Sequence, residues 1–563
     1  MAKFDTVIKG GTIVDGLRTP RYTGDLGIVD GKIACIGGID EAAGDRVIDA
    51  AGKIVAPGFV DLHTHYDSQL YWDPWCSISS WHGVTSVVIG NCGFGFAPCK
   101  PEDQERSMLT MTRNEAVPYE AMKEGMPWDW ETFPEFLDSI DRTPKGVNVL
   151  SYVPLNPLMA YVMGVEAAKT RGANAEELAE MKRLMHEALN AGACGFSGQL
   201  ADPNFEPQRD YDGTPMITNL MQESDLMEFA NVLREQGRGF IQCIGASREL
   251  TEKMAEASGR PIIYNVLAAF TDQHGTPVFD YTETIRWLDE VNERGLRVHA
   301  QTLSVENDFQ YTLEDWNLFD THEVWREVLM GDTEERIAKL NDPEIRQKLR
   351  EQCGDDWRSL AFDETLIVGI VHEPELEDVE GLTVGELAKK WDMPLIDAFI
   401  EVALKDKLKT VFVTSPRELA PHMVKDIICS NQAIPGLSDG GAHTKFQTLG
   451  RYPTEYLAKH VRDHELMDLE EAHWRLSTYP AMAAGITDRG YLKEGAPADI
   501  VVYDMDALNI GEIEKAWDYP AGAWRLIQRP KGYEHIFVNG EETFADGECT
   551  GATPGKLLRF GSG

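Results

Sequence analysis

Residues 58–67 read GFVDLHTHYD, a short apolar run that leads into His63 and His65. Side chains two positions apart point to the same face of a β-strand, so the two imidazoles project together from a strand end. That spacing suits one transition-metal ion. A lone histidine pair is weak evidence, because such pairs also arise by chance in packed cores. The stretch therefore predicts a buried strand that ends in a candidate metal site.

A second buried strand follows at residues 83–95, GVTSVVIGNCGFG, and it ends in a polar turn that carries Cys92. A thiolate binds zinc well, and a bound metal lowers the thiol pKa so that the anion forms at neutral pH. A free cysteine is as readily a small buried apolar residue. The residues alone leave both interpretations of Cys92 open.

The size and composition of the chain are typical of a globular protein with more than one domain. It has 563 residues, of which 43% are hydrophobic and 9% aromatic. No apolar run reaches the roughly 18 residues of a transmembrane helix, and the first residues lack a signal-peptide pattern. Nine scattered cysteines without C-x-x-C pairs are typical of reduced thiols. We therefore expect a cytoplasmic protein.

The formal net charge of −40 argues against nucleic acid or an anionic membrane as a partner. A solvated acidic surface is the ordinary explanation, and a saline habitat or a cationic substrate are the alternatives. We expect a small-molecule substrate and a homo-oligomer.

Both ends of the chain are rich in short alternating strands separated by Gly and Asp-Gly turns. This pattern predicts a small β-sandwich domain formed by residues 1–57 and 485–563. Residues 58–484 alternate buried strands with helices, which predicts an α/β fold with a (β/α)8 TIM barrel. Two long inserts, at about residues 100–145 and 303–395, are expected to line the active face or to form an oligomer contact.

Some elements of the middle region have recognisable limits. Asn174 with Glu177 three residues later predicts a helix start, and Gly192 predicts its end. Ser224 is expected to cap the next helix. Among the later strands of the barrel we expect residues 410–415, TVFVTS.

Barrel enzymes place their chemistry at the C-terminal ends of the strands. Asp439 follows a late strand in the turn GLSDGGAH, where an open backbone lets a substrate approach closely. A carboxylate there can ligate a metal and take a proton from the attacking water, whereas an Asx turn is the ordinary alternative. The other candidates at or just beyond strand ends are Gln242, Cys243, Asn265, His443 and Lys445.

Five stretches resemble the N-acyl-D-amino-acid deacylase (D-aminoacylase) branch of the amidohydrolase superfamily. They read GFVDLHTHYD, GNCGFGFAPCKPEDQE, VPYEAMKEGMPWDWETFPEFLDSID, ALNAGACGFSG and STYPAMAAGITDRGYLKEGAPADIVVYD. The resemblance covers nearly the whole chain and is strongest before residue 200 and after residue 430. It implies a barrel with a β-sandwich and zinc-dependent hydrolysis of an amide. It also implies that His63, His65, Cys92 and Asp439 belong to the metal and catalytic site.

The chain departs from that branch at two strand ends. The branch carries a T-H-x-R strand end and, one strand later, an S-H strand end, whose histidines complete the tighter zinc site. The matching stretches here read FIQCIGAS and IIYNVLAAF, without histidine. Cys243 falls near the first histidine position, as a soft ligand or a packed residue, and Asn265 or Val266 falls near the second. We therefore expect one Zn²⁺ ion rather than two.

The substrate side also differs from the branch. Its arginine partner for the substrate carboxylate is replaced by His443-Thr444-Lys445, and Lys445 keeps the charge without the bidentate fork. Gln242 and Asn265 are further substrate-binding candidates. Trp316 is another, because the aromatic residues of the second insert predict an apolar wall or a subunit contact.

These residues predict a metal-dependent hydrolase of an amide C–N bond, with Asp439 as the group that takes the proton from water and passes it to the leaving amine. A hydrolase of another bond on the same scaffold is the alternative: a lactone, cyclic amide, carbamate or C–C bond. A non-catalytic scaffold protein that lost its activity with the two histidines is the third interpretation.

Overall fold

The computed structural model describes residues 3–200, 208–268, 280–305, 310–315, 322–351, 362–413 and 421–561. The strands in these ranges are β1 (Phe4–Ile13), β2 (Tyr22–Val29), β3 (Lys32–Gly37), β4 (Gly44–Asp49), β5 (Ile54–Pro57), β6 (Phe59–Asp61), β7 (Val84–Ile89), β8 (Asn148–Ser151), β9 (Val153–Pro154), β10 (Gly195–Gln199), β11 (Phe240–Ile244), β12 (Ile262–Leu267), β13 (Val298–Thr302), β14 (Gln310–Tyr311), β15 (Leu366–Gly369), β16 (Val411–Val413), β17 (Ala433–Pro435), β18 (Ile500–Tyr503), β19 (Asn509–Ala516), β20 (Arg525–Lys531), β21 (Tyr533–Val538), β22 (Glu541–Ala545) and β23 (Glu548–Cys549).

The α-helices of the same ranges are α1 (Gln104–Glu115), α2 (Tyr119–Gly125), α3 (Phe133–Arg142), α4 (Leu155–Met163), α5 (Val165–Ala168), α6 (Ala175–Ala191), α7 (Glu223–Gln236), α8 (Arg248–Ser258), α9 (Tyr281–Glu293), α10 (Glu323–Val328), α11 (Thr333–Leu340), α12 (Pro343–Glu351), α13 (Val384–Trp391), α14 (Leu395–Lys405), α15 (Pro421–Cys429), α16 (Tyr452–Glu455), α17 (Leu469–His473) and α18 (Tyr479–Ala484). Two π-helical segments, Tyr456–Asp463 and Trp474–Thr478, lengthen α16 and join α17 to α18. Among these helices, none has the length and apolarity needed to cross a membrane.

One sheet joins the two ends of the chain. Its strand order is β23-β22-β21-β18-β5-β1-β2-β3, and β4 pairs with β1. The N-terminal strand β5 pairs antiparallel with the C-terminal strand β18, so that Ile54 lies opposite Tyr503. Apolar side chains from both ends, such as Ile8, Val55 and Val502, pack in one buried cluster. The strands of this sheet therefore come from the two parts of the sequence that precede and follow the region that carries His63.

Parallel strands occupy the region between the two ends. Strands β6, β7 and β8 form one parallel sheet, and β9, β10, β11, β12, β13 and β17 pair in that order in a second. Helices α6 to α9 alternate with the strands of the second sheet along the chain. An isolated parallel bridge between Thr64 and Gly440 links the chain beyond β6 to the turn after β17. The predicted α/β class is confirmed.

The helix limits show which end signals are reliable. Asn174 and Glu177 form a reciprocal capping box at the start of α6, and Gly192 ends that helix with a φ of 115°. The prediction that Ser224 caps α7 is wrong, because Gln222 is the N-cap and Ser224 lies in the first turn. There its hydroxyl donates to the Asp225 carboxylate at 3.3 Å.

Strands β14, β16 and β15 form a separate antiparallel sheet. Residues 410–415 were expected in the barrel, and this prediction is wrong, because β16 lies in the separate sheet. A short apolar strand carries no signal for its pairing partner. This sheet packs with nearby helices around Trp325 and Phe399, in a core that extends to Ala116 and Phe446. We name the unit formed by β14, β15, β16 and these helices the insert unit.

Candidate active site

His63 and His65 lie directly after β6, and each is only 1% exposed. Thr64 between them fixes the backbone, because its hydroxyl donates to the Val88 carbonyl of β7 at 2.8 Å. The centroids of the two rings are 5.4 Å apart. Together with Cys92, the two imidazoles bring three possible ligand atoms within 4.8 Å of one another.

Cys92 sits in the turn after β7, with a φ of 57°. Its sulfur lies 3.4 Å from His63 Nε2, and its backbone N–H donates to Gln242 Oε1 at 2.8 Å. Burial, followed by the nearby carboxylates of Glu115 and Asp439, raises the pKa of the Cys92 thiol well above its usual value. In this setting the thiolate needs a cation beside it, and a bound metal provides one.

Asp439 follows β17 with a φ of 46°. Its Oδ1 lies 3.3 Å from His63 Nε2 and 3.8 Å from His65 Nε2. Burial raises the pKa of the Asp439 carboxyl, but its hydrogen bond to His63 and the neighbouring imidazoles outweigh burial and leave the pKa below its usual value. The lowered pKa keeps this carboxylate ionised, and its side chain is 23% exposed, more than either histidine, so that it is reachable.

The glycines after Asp439 serve packing. A Cβ at Gly441, where φ is 92°, would lie 2.7 Å from the His65 backbone carbonyl. The Gly440 carbonyl accepts the His65 N–H at 2.6 Å, and Ser438 Oγ donates to the His63 carbonyl at 3.0 Å. The glycine-rich turn therefore holds Asp439 in register with the two histidines.

Three side-chain amides surround the far side of His63. Gln301 Oε1 lies 3.1 Å and Asn265 Nδ2 lies 2.7 Å from His63 Nδ1. Gln242 Nε2 donates to Asn265 Oδ1 at 3.3 Å, which extends the network to Cys92. In the tautomer whose Nδ1–H donates to Gln301 Oε1, the imidazole presents Nε2 to a metal. Gln301 was missed from the sequence, because a glutamine inside a strand gives no chemical signal.

Cys243 lies away from this cluster. It is fully buried in the main hydrophobic core, where burial raises the pKa of its thiol to about 12. Successive strand residues face opposite sides, so Gln242 takes the position that faces Cys92 and Cys243 faces the core. The structure therefore places Gln242, rather than Cys243, at this strand end of the site.

Two further sequence candidates follow Asp439 along the chain. His443 is buried beside Glu115, with 3.4 Å between its Nε2 and Glu115 Oε2. Lys445 Nζ pairs with both carboxylate oxygens of Asp315, at 2.9 and 3.0 Å, and lies 5.4 Å from the ring centroid of Trp524. Trp316 lies outside the described residues.

Glu115 is the site residue that sequence reasoning missed. It ends α1 in the first insert and is buried, with its Oε2 3.6 Å from His65 Nε2. Glu115 follows no strand, so its position in the sequence carries no signal of a role. Only the folded chain brings it to His65.

The donor set fits a zinc-like ion. Imidazole nitrogen, thiolate sulfur and carboxylate oxygen are the atoms that zinc prefers, and the three kinds converge here. Among the described residues, His65 Nδ1 has no hydrogen-bond partner although it is buried. The site therefore combines metal ligands with a partly exposed, ionised carboxylate.

Comparison with known proteins places this chain in a family. The amidohydrolase family model matches residues 46–544. N-acyl-D-glutamate deacylase from Alcaligenes xylosoxydans xylosoxydans is 26% identical, with 99% of this chain and 97% of the relative covered. D-aminoacylase from the same organism gives the same identity and coverage.

Solved structures share the fold. The crystal structure of D-aminoacylase matches with a TM-score of 0.68 at 22% identity, over 99% of this chain and 100% of that chain. N-acyl-D-glutamate deacylase from Bordetella bronchiseptica, solved with zinc and a phosphonate inhibitor that mimics the tetrahedral intermediate, matches equally well. The chain belongs to the amidohydrolase family, on its D-aminoacylase-like branch, and is a hydrolase of carbon–nitrogen bonds other than peptide bonds.

Proposed function

We propose that this chain is a metal-dependent deacylase of N-acyl-D-amino acids. The observation that carries the proposal is the approach of Cys92 Sγ and Asp439 Oδ1 to His63 Nε2, at 3.4 and 3.3 Å. The names of the relatives support the substrate class, because they are deacylases of N-acyl-D-glutamate and other D-amino acids.

In the proposed reaction, His63, His65 and Cys92 hold one zinc-like ion. When bound, such an ion polarises the scissile carbonyl and activates the attacking water. Asp439 takes the proton of that water and delivers it to the leaving amine. Its partly exposed carboxylate suits this role, since a shuttle must reach both the water and the substrate nitrogen.

A hydrolysis screen tests the function. We expect release of free amino acid from N-acyl-D-amino acids, and much slower release from their L-enantiomers. Faster hydrolysis of lactones, cyclic amides or carbamates would instead indicate that the chain hydrolyses another kind of bond. The amides of Gln242 and Asn265, at strand ends where the branch carries histidines, are the feature that favours this alternative. A protein that binds no metal and hydrolyses none of these compounds would be a scaffold.

Lys445 is the proposed partner of the substrate carboxylate, and it must exchange Asp315 for the substrate. We expect Lys445→Gln to raise KM about 10-fold with little change in kcat, since one charged hydrogen bond is lost. Asp315→Asn should lower KM, because Lys445 is then free. Lys531→Gln, on the exposed end of β20, is the control. Equal effects of Lys445→Gln on an acid substrate and its methyl ester would contradict the role.

The predicted number of bound metal ions follows from the two strand ends that lack a histidine. We expect one tightly bound ion per chain by elemental analysis after dialysis, because the amides of Gln242 and Asn265 are poor zinc ligands. Replacing both with His should raise the count toward two. Two tightly bound ions in the wild-type protein would contradict this prediction.

The proposed scaffold is a (β/α)8 barrel at residues 58–484, closed by the pairing of the chain beyond β6 with the turn after β17. The bridge between Thr64 and Gly440 supports this closure. We propose that residues 1–57 and 485–563 form the accompanying β-sandwich domain, supported by the sheet that both ends share.

A further inference from the structure

Glu115 is held in the site by the backbone as well as by its side chain. It is the last residue of α1, and Ala116 after it turns the chain with a φ of 52°. The backbone N–H of His443 donates to the Glu115 carbonyl at 2.6 Å. The end of the first insert is thereby attached to the loop that carries Asp439.

The surroundings of this carboxylate favour a bound cation beside it. Glu115 is buried, with only 4% of the residue exposed. The C-terminal end of a helix carries a partial negative charge, which is also unfavourable for an anion. Within the described part of the chain, its ion-pair partners are the imidazoles of His65 and His443, and no lysine or arginine pairs with it.

The distance between Glu115 and its neighbour His65 is close to the spacing of two ligands on one zinc ion. Ligand atoms at the corners of a tetrahedron, each about 2.1 Å from a zinc ion, lie about 3.4 Å apart. Glu115 Oε2 lies 3.6 Å from His65 Nε2. Asp439 Oδ1 lies 3.8 Å from His65 Nε2 and 3.3 Å from His63 Nε2. Glu115 Oε2 therefore lies beside His65 Nε2, which belongs to the group of possible ligand atoms formed with His63 and Cys92.

We propose that Glu115 is a ligand of the metal ion, on the side of His65 and Asp439, and that His443 positions its carboxylate. The chain would thus replace the lost histidine ligands by a carboxylate from the first insert. This inference rests on the metal centre of the proposed function and adds a ligand to it.

Cobalt(II) binding to the full-length protein tests the inference without an activity assay. Glu115→Gln keeps the shape of the side chain and removes its charge. We expect cobalt affinity, measured by competition with a chelating dye, to fall at least about 10-fold. The visible d–d bands should change, whereas the thiolate-to-cobalt absorption from Cys92 should persist. Glu105→Gln, on the exposed first turn of α1, is the matched control and should match the wild type.

Unchanged affinity and unchanged d–d bands in Glu115→Gln would overturn the inference while leaving the metal centre of the proposed function intact. Loss of the proposed function would look different, since the wild-type protein itself would bind no cobalt. If Glu115→Gln does not fold, a crystal structure of the zinc-loaded wild-type protein decides. A Glu115 oxygen within about 2.2 Å of zinc supports the assignment, and one beyond about 3 Å overturns it.

Discussion

Replacing His63 and His65 together with Asn should abolish both bound metal and turnover. The two imidazoles supply two of the three possible ligand atoms within 4.8 Å of one another, so their loss leaves Cys92 as the remaining member of that group. One thiolate with one or two carboxylates does not hold zinc as a three- or four-ligand site does. Elemental analysis after dialysis and kcat on an N-acyl-D-amino acid are the measurements.

The control for this double variant is His186→Asn, a partly exposed histidine on α6 whose ring contacts Gln236 and Glu235. It should retain the metal content and the rate of the wild type. Full metal occupancy in the double variant would show that the ion binds elsewhere, and the assignment of His63 and His65 would then be wrong.

The parts of the site that could be predicted are those with a local signal. His63 and His65 are two positions apart just beyond the end of β6, and Asp439 lies in a glycine-rich turn after β17. Membership of the amidohydrolase family was predicted from continuous motifs around these residues, and it is confirmed. Local geometry is sufficient in such cases because neighbours in sequence are neighbours in space.

The parts that could not be predicted depend on tertiary contacts or on register. Glu115 lies beside His65 only in the folded chain, where the backbone N–H of His443 donates to the Glu115 carbonyl. At β11, whether Gln242 or Cys243 faces the site depends on the phase of the strand, and a shift of one residue exchanges the two. The sequence of β16 is typical of a barrel strand, but β16 pairs with β14 and β15 in the insert unit.

The same argument explains why the metal count is harder to predict than the family. The motifs that identify the branch are continuous stretches of sequence. The site residues within one such stretch are close in the folded chain because they are close in the sequence. The ligands that set the count come from separate strands and, in our inference, from an insert helix. A chain can therefore keep the family motifs while it changes the metal site that they accompany.

Asp439→Asn should reduce kcat by at least about 100-fold, in line with the loss of a general base. The amide keeps the shape of the carboxylate and can still contact His63, so we expect metal content and melting temperature to change little. The wild-type carboxylate is ionised at neutral pH because its hydrogen bond to His63 and the neighbouring imidazoles outweigh burial and keep its pKa below the usual value, whereas the amide of the variant cannot accept a proton. Asp506→Asn, in an exposed turn after β18, is the control. A kcat near that of the wild type, with metal still bound, would show that another group moves the proton, and Glu115 would then be the next residue to replace.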